Sequence, residues 1–84
     1  MKNTYKATAT DNRTDGIEIE FRGMPLMRAM TIAEMLGTAF SHVNVISEDT
    51  GEVMYYRGAS REVFMPKTTR ADAIATAINW QNAR

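Results

Sequence analysis

The chain has 84 residues, 44% of them apolar, and its ten basic residues balance its ten acidic ones. That length makes one domain, 1–84, of a size that buries only about 60% of its unfolded surface. Zero net charge excludes a chain-wide attraction to nucleic acid or to a membrane. The absence of cysteine excludes disulfides, thiolate metal sites and a cysteine nucleophile.

The opening MKNTYKATAT has no apolar run after its lysine, so no signal peptide is expected, and no window approaches the roughly 18–20 apolar residues of a spanning helix. A cytoplasmic protein is the expectation. Tyr5, Ala7 and Ala9 alternate with Lys6, Thr8 and Thr10, the period of a strand with one wet face. The turn formers Asp11 to Gly16 follow, and then Ile17, Ile19 and Phe21 alternate with Glu18, Glu20 and Arg22. These two runs predict an antiparallel hairpin, with Lys6 and Arg22 near Glu18 and Glu20 on its outer face. Gly23 breaks the second strand, and Pro25 suits the first turn of a helix.

The helix predicted from Pro25 to Phe40 is the best amphipathic segment in the chain. Leu26, Ala29, Met30, Ala33, Leu36, Gly37 and Phe40 share one face. Val43 to Ile46 reads as a third strand and Glu52 to Arg57 as a fourth. They are joined by the turn Ser47 to Gly51, in which Gly51 supplies a positive φ. Arg61 to Met65, stopped by Pro66, reads as a fifth, edge strand that could pair edge to edge with a second copy. Thr68 or Thr69 is expected to cap a last helix running to about Gln81; Thr69, with Asp72 three residues on, resembles a capping box with Asp in place of the usual Glu or Gln. Its expected apolar stripe is Ala71, Ile74, Ala75 and Ile78. The expected fold is α+β, ordered ββαβββα: an antiparallel sheet of four to five strands with two helices packed on one face.

Little in the chain speaks for catalysis. The single histidine, His42, stands at a strand entrance. It could serve as a general base in a small hydrolase if Asp49 or Glu52 oriented it across the hairpin, and otherwise it is a half-exposed strand residue. Zinc would need His42 with three carboxylates. The turn residues Glu48, Asp49 and Glu52 lack the ligand run of a calcium loop, and no glycine-rich phosphate motif occurs. No metal, no cofactor and no enzymatic activity are expected.

Two features suggest contact surfaces. From Val53 to Arg70 the chain interleaves Arg57, Arg61, Lys67 and Arg70 with Tyr55, Tyr56 and Phe64, against one acid, Glu62. Such a patch could stack a base and bind a phosphate, contact an acidic protein, or simply pair with Glu48, Glu52 and Glu62. A three-stranded meander followed by a helix also resembles, in outline only, the sheet-type DNA-binding domains of some integrases, an analogy of fold alone. The second feature is the seven methionines. Met27 and Met35 fall off the predicted core stripe of the first helix, where flexible thioethers suit an adaptable binding surface. Trp80 likewise projects from the expected stripe of the last helix and is a residue type that anchors interfaces.

From Phe21 to Tyr56, through FRGMPLMRAMTIAEMLG and SEDTGEVMYY, the chain resembles small uncharacterised proteins carried by phages and mobile elements of gut-type bacteria. Asp49, Thr50, Gly51, Glu52, Val53 and Tyr55 or Tyr56 carry the match. The resemblance implies a protein that inhibits or sequesters a host defence component, as anti-CRISPR proteins do, and brings no catalytic residue with it. The leading expectation is therefore a non-enzymatic binding protein that blocks a host protein through Met35, Tyr56, Arg57, Arg61 and Trp80. The alternative is a nucleic-acid or nucleotide binder using Tyr55, Tyr56, Arg57, Arg61, Lys67 and Arg70. A homodimer is a further possible partner arrangement; a membrane is not.

Overall fold

A computed structural model describes residues 3–11, 19–59 and 63–83. Its elements are β1 (Tyr5–Thr10), β2 (Ile19–Met24), α1 (Leu26–Leu36), β3 (His42–Ser47), β4 (Val53–Gly58) and α2 (Arg70–Gln81). The strands form one four-stranded sheet in the order β2-β1-β3-β4, every neighbouring pair antiparallel. Both helices lie on one face. α1 packs on the sheet, chiefly over β1 and β3, and α2 packs along α1.

The period-2 alternation of β1 explains its central place. Ala7 and Ala9 point to the helix side and are buried. Their small side chains let α1 approach closely, with Ala29, Ile32, Ala33 and Leu36 in the same core. On the other face Lys6 and Arg22 both reach Glu20, at 3.7 and 2.7 Å. Thr8 is buried there too and donates its hydroxyl hydrogen bond to Asn44 Oδ1.

Several boundaries differ from the sequence expectation. Gly23 does not end β2. The strand continues to buried Met24 through a register shift opposite Tyr5 and Ala7. Gly23 takes φ +76° and donates its N–H to Glu48 Oε1 at 2.7 Å, the conformation that a bulge glycine supplies. The turn Asp11 to Gly16, with Ile17 and Glu18, lies outside the described residues beyond Asp11.

α1 ends at Leu36 rather than Phe40. Thr38 Oγ1 donates to the Met35 carbonyl at 2.7 Å, and the chain turns so that Phe40 N–H still bonds Leu36 O at 2.9 Å, which keeps Phe40 in the core. Ile32, which the helical wheel puts at the border of the stripe, is fully buried. α1 has the sheet beneath it and α2 beside it, so its buried arc is wider than one stripe.

Of the two candidate caps, Thr69 caps the last helix: Asp72 N–H donates to Thr69 Oγ1 at 3.1 Å. Its buried face is corrected. Ala73 and Ala77 are buried and Ile74 half-buried, whereas Ala71, Ala75 and Ile78 are exposed. α2 packs on another helix, and alanines permit that close approach better than isoleucines. The expected fifth strand is also corrected. Val63 to Pro66 form no strand, and Ser60 to Glu62 lie outside the described residues. Pro66 has no N–H to give a ladder. The N–H groups of Lys67 and Thr68 both bond Thr38 O, at 2.7 and 3.3 Å, which ties this segment to the end of α1 instead of to β4. No helix among the described residues is long and apolar enough to cross a membrane.

Candidate functional site

β4 is an edge strand, and strand periodicity sends its neighbouring side chains to opposite faces. Tyr55, opposite Val45, faces the helices and packs half-buried against the core. Tyr56, opposite Asn44, faces the other way and is 59% exposed, with its ring 6.2 Å from that of His42. Arg57, opposite Val43, returns to the helix side. Its guanidinium lies against the backbone of Gly37, just past the end of α1.

There it forms one wall of an open cleft of about 400 Å³. Glu34, Gly37 and Phe40 line the cleft from the α1 side, Arg57 and Gly58 from β4 with Ala59 just past it, and Val63 to Met65 with Lys67 from the connecting segment. The bonds from Lys67 and Thr68 to Thr38, including the 2.8 Å contact between the Thr38 and Thr68 hydroxyls, fix that last wall. Arg57 and Lys67 have no ion-pair partner among the described residues. Val63 and Met65, 70% and 77% exposed, stand at the rim. Among the described residues the cleft therefore offers the cations of Arg57 and Lys67 and the carboxylate of Glu34 between apolar lips.

Of the residues expected to contact a partner, only Arg57 lies in this cleft. Tyr56 is on the opposite sheet face. Met35 is half-buried in α1, not on an open outer face. Trp80 is at the far end of the molecule, closing a groove of about 270 Å³ with Pro25, Met27, Arg28 and Thr31. Arg61 lies outside the described residues. Of the residues expected to bind nucleic acid, Arg57 and Lys67 come together, while Tyr55 and Tyr56 diverge. Arg70 is paired with Asp11 and lies 5.1 Å from the centre of the Phe40 ring.

The arrangement imagined around His42 does not form. His42 lies opposite Gly58, at the far end of the hairpin from Asp49 and Glu52, and its Nδ1 is 2.9 Å from Ser41 Oγ. No cluster of three or more potential metal ligands occurs among the described residues. Glu34 and the rim residues Val63 and Met65 are not singled out as site residues by the sequence, whereas Phe64 is, as an aromatic of the basic stretch. The available signal was Gly37, a glycine on an otherwise apolar helix face, which marks a close approach by another group. Compared with protein-family models, curated proteins and solved structures, the chain matches none.

Proposed function

We propose that this is a non-enzymatic, cytoplasmic binding protein that blocks a partner protein by seating an acidic, apolar-edged segment of it in the cleft beside α1. One observation carries the reading: Arg57 and Lys67 stand without an ion-pair partner among the described residues in a cleft whose rim exposes Val63 and Met65. Free cations between exposed apolar side chains match a surface that is both acidic and hydrophobic. Among the described residues His42 meets a serine hydroxyl and a tyrosine ring. The mobile-element resemblance supports a host protein as the partner class.

Affinity capture from bacterial lysate at low and high salt tests this. A partner retained by the wild-type chain at both salts, lost by Met65→Glu and weakened by Arg57→Glu, is the expected result. Identical capture by all three proteins would overturn it. Recovery of nucleic acid alone, released as salt rises, would transfer Arg57 and Lys67 to the nucleotide-binding reading.

A further inference from the structure

We propose that Glu34 sets the specificity of the cleft: its carboxylate bars single-stranded nucleic acid from Arg57 and Lys67 while admitting a peptide segment that carries an isolated acid. The inference rests on the cleft-binding reading and deepens it, by naming the class of ligand that the cleft rejects.

Apart from Glu34, the cleft holds the parts of a strand-binding site. Arg57 enters from β4 and Lys67 from the connecting segment, and Phe40 and Phe64 line the same space. Phe40 is buried, whereas Phe64 is half-buried and keeps open surface. Cations that follow a phosphate backbone, with an aromatic side chain for a base to stack on, are what sequence-tolerant strand binders use.

Glu34 opposes such a ligand from the α1 wall. It precedes Gly37 by three positions, which puts the two on one helix face with Cβ positions about 5–6 Å apart. The Arg57 guanidinium occupies the space that a Gly37 side chain would take, so acid and base stand about one helical turn apart. No ion pair joins Glu34 to Arg57 or Lys67 among the described residues, and Glu34 is exposed. Its charge therefore acts on whatever enters the cleft. Every nucleotide of a strand is charged, so a strand has no neutral unit to lay against Glu34. A peptide can set one carboxylate at Arg57 and Lys67 and a neutral or basic side chain beside Glu34. Like charges facing each other suppress the wrong partner at a cost the right one does not meet.

Fluorescence polarisation of a labelled oligo(dT) strand with the purified full chain tests this, with circular dichroism confirming that each variant is folded. Affinity is expected to rise stepwise from wild type to Glu34→Gln to Glu34→Lys, about tenfold across the series. The salt slope of Glu34→Lys is expected to steepen by about 0.7, the share of one added phosphate contact on a single strand. Adding Arg57→Ala and Lys67→Ala to Glu34→Lys should abolish the gain. Glu52→Lys makes the same charge change about 17 Å along the strand from Arg57, beyond the screening length of about 10 Å in 0.1 M salt, and is expected to leave affinity near the wild-type value. Equal affinity of wild type, Glu34→Gln and Glu34→Lys would overturn the proposal. So would a gain in Glu52→Lys that equals that of Glu34→Lys, because net charge alone would then explain it. The capture experiment reads Met65 and Arg57 instead. A captured partner with a flat oligonucleotide series removes the role of Glu34 alone, whereas a rising series without Met65-dependent capture removes the peptide reading and leaves Glu34 as the barrier to strands.

Discussion

The guanidinium of Arg57 rests on Gly37 so closely that a methyl group on that glycine would overlap Nη2. α1 has no basic residue in its own last turn, so a side chain from the opposite edge of the sheet brings a positive charge to the carbonyl end of the helix. A cation at that position is worth about 0.3–1 kcal/mol when exposed. The same contact aims Arg57 into the cleft, and so couples the end of a helix to the proposed binding surface.

Gly37→Ala separates these two roles. Gly37 has φ −65° and ψ −10°, an ordinary helical conformation that alanine accepts and prefers. A Cβ there would overlap the free end of the arginine, which can swing away, and would stand 3.3 Å from the Ala33 carbonyl oxygen. Urea unfolding is therefore expected to change by less than about 1 kcal/mol, since helix propensity and the lost charge–dipole contact oppose each other. Partner capture at low salt is expected to fall as it does for Arg57→Ala. Unchanged capture would mean that the guanidinium reaches the partner without support from Gly37.

Alternation and punctuation made most of this fold legible. The Tyr5–Thr10 pattern, the Gly51 turn and the Thr69 cap each report local physics, and each lies where the sequence puts it. The misplaced features depend on what packs against them. The buried side of α2 is set by α1, which selects Ala73 and Ala77 over the isoleucines that a solitary helical wheel favours. Arg61 to Met65 read as a strand because they are short, apolar and aromatic, but the backbone just past Pro66, at Lys67 and Thr68, is held by Thr38, some thirty positions earlier, and no local pattern reports such a bond. The cleft was half legible: its arginine and lysine stood out as a charge cluster, but their separation from Tyr56 and Arg70 required the strand faces and the Asp11 ion pair.

Gly23 and Gly51 form a matched pair for a backbone test. Both have positive φ, +76° and +77°, and neither has any atom within 4 Å of where a Cβ would stand. Alanine at either site should therefore cost only left-handed strain, about 1–2 kcal/mol, visible as a lower urea midpoint with an unchanged slope. Gly23 also donates to Glu48, so Glu48→Ala should destabilise the wild-type chain more than it does a Gly23→Ala chain whose bulge has shifted. Strict additivity in that double-mutant cycle would mean that the hydrogen bond survives the substitution.

Ile32 and Met27 lie on one helix with opposite exposures, 0% and 75%. Ile32→Ala leaves a cavity between the sheet and the two helices and is expected to cost about 2–5 kcal/mol in urea or thermal unfolding. For a domain of this size that is a large share of the total. Met27→Ala removes an exposed side chain and should stay within about 0.5 kcal/mol. Equal losses at the two sites would contradict the packing of α1 described above.

The Glu20 carboxyl gives the fold a defined acid sensitivity. The hydrogen bond from Arg22 Nε, at 2.7 Å, holds its pKa below the ordinary value of 4.5, with added pull from the charges of Arg22 and Lys6 and partial opposition from burial. A group whose folded pKa is depressed takes up a proton more readily when unfolded. Its stabilising contribution is therefore complete above the ordinary carboxyl range and is lost as the pH falls through the folded value. Glu20→Gln removes that contribution at every pH. The stability gap between wild type and variant should be widest near neutrality, narrow below about pH 4.5, and shrink with added salt because the pairs are partly exposed. A gap that widens in acid would reverse the sign and make burial, rather than Arg22, the dominant influence on Glu20.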